Sequence, residues 1–98
     1  MAAFEWDHDK NTRNIAKHGI DFTTASLIWR GPIYERVDDR RVYGETRLQA
    51  FGLVEDRVLT VVFTWRGAVR RLISARRANF REKTFFETEI SRSRSPPD

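Results

Sequence analysis

The clearest alternation in the chain runs through residues 58–65. Leu59, Val61, Phe63 and Trp65 interleave with Val58, Thr60, Val62 and Thr64. Both sets are β-branched or aromatic, which predicts a central strand covered on both sides. Short polar connections flank it at Glu55-Asp56-Arg57 and Arg66-Gly67. They place a strand on either side, residues 47–54 and 69–75, in an antiparallel meander. Residues 33–37 read as a further strand, followed by a charged turn at 38–41. Phe4-Glu5-Trp6 reads as a short strand near the N-terminus.

The pattern elsewhere is helical. Asp7 is a good N-cap for a helix running to His18, with Gly19 as the residue that ends it. Asn11, Ile15 and His18 share one face of that helix by spacing. Asp21 caps a second helix whose apolar stripe is Phe22, Ala25, Ile28 and Trp29, read as core in preference to a partner contact, and Gly31-Pro32 stops it. Asn79 and Glu82 form a relative of the capping box ahead of a last helix with Phe85, Phe86 and Ile90 on its apolar side. The element order is β-α-α-β-β-β-β-α. This predicts an α+β fold with helices against one face of an antiparallel sheet. A single domain is expected over residues 1–90, followed by a low-complexity Ser/Arg/Pro tail over 91–98.

Composition narrows the chemistry. The chain has 98 residues and no cysteine, so disulfides, thiolate metal sites and cysteine nucleophiles are excluded. The apolar runs are too short to span a bilayer, and the N-terminus lacks the pattern of a signal peptide. A cytoplasmic protein without membrane attachment is expected. The net charge is only +4, but 15 of the 18 basic residues are arginine. Codon bias alone can produce such an excess, so location decides. Between Thr64 and Arg81 there are six arginines (66, 70, 71, 76, 77 and 81) and no acid, whereas residues 30–57 mix both signs. Arginine grips phosphate with a planar fork, so this segment reads as a footprint for nucleic acid. The bland reading is a solvated strand whose charge discourages edge pairing.

No His/Cys spacing suggests a metal site, no glycine-rich phosphate loop is present, and Ser74 is not on a nucleophile elbow. Neither a metal nor a cofactor is expected. Metal-independent RNA cleavage fits the inventory better. It uses the 2′-hydroxyl as nucleophile and needs a base, an acid and fixed cations. Alternation along the strand places Arg70, Leu72, Ser74 and Arg76 on one face, with Arg47 joining if register permits. The candidate proton carriers are His18, Glu45, Glu82, Lys17 and Tyr43. Each has a structural alternative: His18 as a helix-dipole partner, Glu82 as the capping acid, Glu45 in an ion pair and Lys17 exposed.

Three stretches, in this order, resemble the BrnT family. They are Phe4-Glu5-Trp6-Asp7, then Asn14-Ile15-Ala16-Lys17-His18-Gly19-Ile20-Asp21-Phe22, then Leu72-Ile73-Ser74-Ala75-Arg76-Arg77-Ala78 with Arg81-Glu82. The resemblance spans about residues 4–90. It implies a RelE-like fold and a ribonuclease toxin of a bacterial type II toxin–antitoxin pair that halts translation. The implied partners are RNA and a BrnA-type ribbon-helix-helix antitoxin, with operator DNA reached only through the antitoxin in a hetero-oligomer. Lys17, His18, Arg47, Ser74, Arg76 and Glu82 match the family motifs. On this reading His18, Arg47, Ser74, Arg76 and Glu82 are the catalytic candidates. Lys17, Arg70, Arg71, Arg77 and Arg81 are the RNA-binding candidates. The alternatives are a non-catalytic arginine-rich module that binds RNA or a partner, or an inactive toxin serving only as co-repressor.

Overall fold

The computed structural model describes residues 3–40 and 42–94. Strand β1 (Ala3–Trp6) leads into helix α1 (His8–His18), helix α2 (Phe22–Ser26) and a 3-10 turn (Leu27–Arg30). Strands β2 (Ile33–Asp38), β3 (Arg47–Val54), β4 (Arg57–Arg66) and β5 (Val69–Arg77) follow, and helix α3 (Phe80–Arg94) ends the fold. The order is that expected of an α+β chain, and β2 to β5 form the antiparallel meander. The fifth strand departs from the expectation. β1 joins the outer edge of β5 in parallel, giving the sheet order β1-β5-β4-β3-β2.

Local signals act where they stand. Asp7 accepts from the Lys10 N–H and Asp21 from the Thr24 N–H, each capping its helix. Gly19 ends α1 at φ 72°, a left-handed conformation that favours glycine. Asn79 and Glu82 form a reciprocal capping box. The Glu82 N–H donates to Asn79 Oδ1 at 2.8 Å and the Asn79 N–H donates to Glu82 Oε1 at 2.9 Å.

The helices do not share one face of the sheet. α2 and the 3-10 turn bury Phe22, Ala25 and Ile28 against Ala50, Leu59, Val61, Phe63, Leu72 and Ala75. α3 covers the opposite face, where Phe86 and Ile90 pack with Phe51, Val58 and Tyr34. The reason is that β4 is apolar on both sides, so each face needs its own cover. Gly52 marks the closest approach on the first face. A Cβ there would lie 2.7 Å from Ile28 Cβ and 2.8 Å from Ile33 Cδ1.

The buried residue of α1 is not apolar. Ile15, which shares a face with Asn11 and His18 by spacing, is 45% exposed, while Asn14 is buried. β1 pairs with β5 only as far as Leu72. Beyond that, the Asn14 amide takes over the strand edge. It donates to the Ala75 carbonyl at 2.8 Å and accepts from the Ala75 N–H at 3.1 Å. A further 2.8 Å bond to the Ile20 carbonyl ties down the chain after α1. A side-chain amide thus satisfies backbone groups that a longer β1 would have paired.

α3 runs through Arg94, so four residues of the expected tail are helical. A Glu89–Arg92 ion pair at 3.6 Å and a Ser93 hydroxyl bond to the Ile90 carbonyl support this last turn. Positions 95–98 and Arg41 of the charged turn lie outside the described residues.

Candidate functional site

β5 contains a bulge. Val62 faces Ser74, but Phe63 faces Leu72, leaving Ile73 as the extra residue. The bulge reverses the side-chain alternation between the two halves of the strand. Arg70 and Leu72 lie on the face covered by α2, opposite Trp65 and Phe63. Ser74 and Arg76 lie on the α3 face, opposite Val62 and Thr60. The expected single row Arg70-Leu72-Ser74-Arg76 is therefore split between the two faces.

On the α3 face, Arg76 meets Glu82 across the β5–α3 junction. Two guanidinium donors reach the two carboxylate oxygens at 2.7 and 2.8 Å. Glu82 also accepts from the Asn79 N–H and, at 3.2 Å, from the Thr60 hydroxyl. Burial pushes the Glu82 carboxyl up, but the Arg76 fork, the Asn79 N–H, the Arg76 charge and the Thr60 hydroxyl outweigh it and hold it below the usual range. A carboxylate so occupied is a clamp rather than a free proton acceptor. The capping role and the arginine contact share Oε1, while Oε2 is bound by Arg76. Arg76 keeps 30% of its side chain exposed and also donates to the Arg77 carbonyl at 3.3 Å.

His18, in the last turn of α1, is near enough to Arg76 to feel its charge. Burial, then Lys17, then Arg76 lower the imidazole below its ordinary value, which favours its neutral form. Lys17 beside it is exposed.

A cavity of about 440 Å³ opens next to the clamp, lined by Arg36, Asn79, Arg81, Glu82 and Phe85. Arg36 was not singled out by its sequence. Its Nε donates to Gln49 Oε1 at 2.8 Å, and its guanidinium lies over the Phe51 and Phe85 rings at 5.0 and 5.8 Å. No local motif marks Arg36. It reaches the site because β2–β3 pairing sets it opposite Gln49, on the face that α3 covers.

Other candidates are not gathered here. Arg47 is on the same face as Arg76 but four residues and two strands away, roughly 16 Å by strand geometry. It stacks over Tyr43 at 4.0 Å and approaches Glu45 at 3.4 Å, while Tyr43 donates to the buried Asp38 at 3.5 Å. Arg71 is bound to Glu5 at 2.7 Å, a charge supplied by the neighbouring strand. The acid-free segment is thus partly neutralised by acids from elsewhere in the chain. Arg77 and Arg81 are exposed, Arg77 next to Arg76 and Arg81 on the cavity rim. Among the described residues, no three His, Asp or Glu side chains group as metal ligands do.

Residues 6–82 match the family described as the ribonuclease toxin, BrnT, of type II toxin–antitoxin systems. The chain belongs to the BrnT family. No curated protein sequence matches it at a significant level. The matched span begins at Trp6, the last residue of β1, and ends at Glu82, so it takes in strands β2 to β5, His18 and the Arg76–Glu82 clamp. Membership in the BrnT family implies ribonuclease activity, an RNA substrate and an antitoxin partner. No helix among the described residues is long and apolar enough to cross a membrane.

Proposed function

We propose that this BrnT-family chain is a metal-independent endoribonuclease whose working groups are Arg76, held by Glu82, and His18. The observation that carries this reading is the Arg76 fork clamped by Glu82, a residue that lines the arginine-bearing cavity. His18 takes the proton of the 2′-hydroxyl, and the 2′-oxygen attacks phosphorus. The bond from phosphorus to the 5′-oxygen breaks, and that oxygen takes a proton from solvent. The products are a 2′,3′-cyclic phosphate and a 5′-hydroxyl. Arg76 stabilises charge on the non-bridging oxygens. Such fixed cations are usually the largest catalytic contribution, and proton transfer adds on the order of 10²–10⁴-fold.

Glu82 is a positioning residue: it sets the direction of the Arg76 fork. Ser74, on the same face, orients the phosphate. Lys17, Arg77, Arg81 and Arg36 hold flanking phosphates, with Phe85 available to a base. Arg47 contacts RNA further along the face. Cleavage inhibits translation and growth in the cytoplasm, and a ribbon-helix-helix antitoxin neutralises the toxin in a hetero-oligomer.

The test is cleavage of RNA by the purified protein in excess chelator, with the termini identified. Cleavage yielding cyclic phosphate ends, with loss in Arg76→Ala and His18→Ala, is the expected result. Salt-dependent binding without products would instead identify a non-catalytic RNA-binding module.

A further inference from the structure

The face of the sheet opposite the clamp carries a second arginine in an unusual setting. Arg70 is half-buried within four aromatic rings. Its guanidinium carbon lies over Trp65 at 4.5 Å, Trp29 at 4.7 Å, Phe63 at 5.7 Å and Phe4 at 5.9 Å. No carboxylate forms an ion pair with it among the described residues. Its Nε and the indole Nε1 of Trp29 are both buried without an acceptor. Buried donors are rarely left so in native proteins. Here two of them meet in one cluster, around a cation stripped of much of its water and given no anion.

The setting favours one class of occupant. The rings turn toward Arg70 and each other: Trp29 is perpendicular to Phe63, and Phe63 is at 82° to Trp65. Half-buried and without an ion pair, Arg70 is left to receive a planar anion, which a carboxylate matches in shape and charge. Trp65, at 43% exposure, supplies an apolar wall beside it. Tryptophan and arginine packed together are the residues that dominate binding energy at protein interfaces. The bulge at Ile73 places this cluster on the other side of the sheet from Arg76, so RNA held at the clamp does not cover it.

We infer that the Arg70 box is an anchor for an Asp or Glu side chain of the antitoxin. The inference rests on family membership, not on the cleavage mechanism. It assigns to antitoxin capture a residue that its place in the acid-free segment groups with the RNA-binding arginines.

The experiment measures antitoxin affinity and RNA cleavage separately, using the full chain and its cognate antitoxin. Trp65→Ala, at an exposed position, is expected to weaken antitoxin binding tenfold or more while cleavage by the free toxin stays within twofold. Arg70→Gln is then combined with single Asp→Ala and Glu→Ala changes across the antitoxin. One such change is expected to cost tenfold or more against the wild-type toxin and nothing further against the Arg70→Gln variant. Unchanged affinity in Trp65→Ala overturns the inference, as does a scan in which no carboxylate couples to Arg70. A loss of RNA affinity with antitoxin binding intact also overturns it and makes the box an RNA platform. Absence of cleavage by the wild-type protein would count against the ribonuclease mechanism alone, since the antitoxin measurement does not depend on it.

Discussion

Arg76 and Glu82 join β5 to α3 through two parallel hydrogen bonds of 2.7 and 2.8 Å. The same carboxylate closes the capping box on Asn79 and accepts from Thr60 on the neighbouring strand. One side chain therefore holds the helix start, the strand end and the direction of the guanidinium. Stability and activity should respond to it together.

Glu82→Gln keeps the shape of the clamp but removes its charge. Hydrogen bonds to charged groups contribute about 1.5–3 kcal/mol, so the variant should lose roughly that in denaturant unfolding. RNA cleavage should fall about tenfold, because Arg76 is no longer aimed. Arg76→Ala should fall further, by about 10²–10³-fold, the range for removing a donor to a developing negative charge. Equal cleavage by Glu82→Gln and wild type would show that the clamp is structural only.

His18 should leave its mark on the pH–rate profile. As a base it works only when neutral, and burial, Lys17 and Arg76 lower its value. The rate should rise with pH, reach its midpoint below the ordinary histidine value of about 6.5, and then level off. His18→Ala should be slower by about 10²–10⁴-fold and lose this limb. Survival of the limb in the variant would assign it to another group.

Acid should destabilise the fold in a defined way. The Arg40 hydrogen bond holds buried Asp38 low, despite the opposing effect of burial, and Glu82 is low for the reasons given above. Carboxylates lowered in the native state contribute stability above their unfolded values, and lose it as pH falls through the native ones. Neutral His18 acts in the same direction from about pH 6.5 downward. Melting temperature should decline slightly below that pH and steeply below about pH 4. Glu82→Gln should flatten part of the steep limb.

Asn14 should tolerate little. Asn14→Ala strands the N–H and carbonyl of Ala75 and the carbonyl of Ile20. With unsatisfied buried groups costing about 1–3 kcal/mol each, and water relieving some, a loss of about 2–4 kcal/mol is expected in urea unfolding. Gly52→Ala tests the close approach of the 3-10 turn to β3. Overpacking of this kind costs about 1–3 kcal/mol. A neutral result at either position would mean that the neighbouring backbone yields easily.

Much of this protein was determined by interactions a few residues long. Asp7, Asp21, Asn79 and Glu82 cap helices through bonds spanning three residues, and those choices are visible in sequence. The alternation in β4 reflects burial on both faces, so the meander and the α+β class follow from it. The resemblance that pointed to BrnT rests on stretches that lie inside these elements. Tertiary structure decided what each arginine does. Pairing is non-local, and one extra residue at Ile73 sends Arg70 and Arg76 to opposite faces of the sheet. Glu5 reaches Arg71 across 66 positions, and Asn14 completes an edge 61 positions away. Arg36 enters the site through β2–β3 register alone. Composition established that the chain is rich in phosphate-gripping side chains. Only the fold divided them between a clamped arginine next to the cavity and a boxed arginine on the far face.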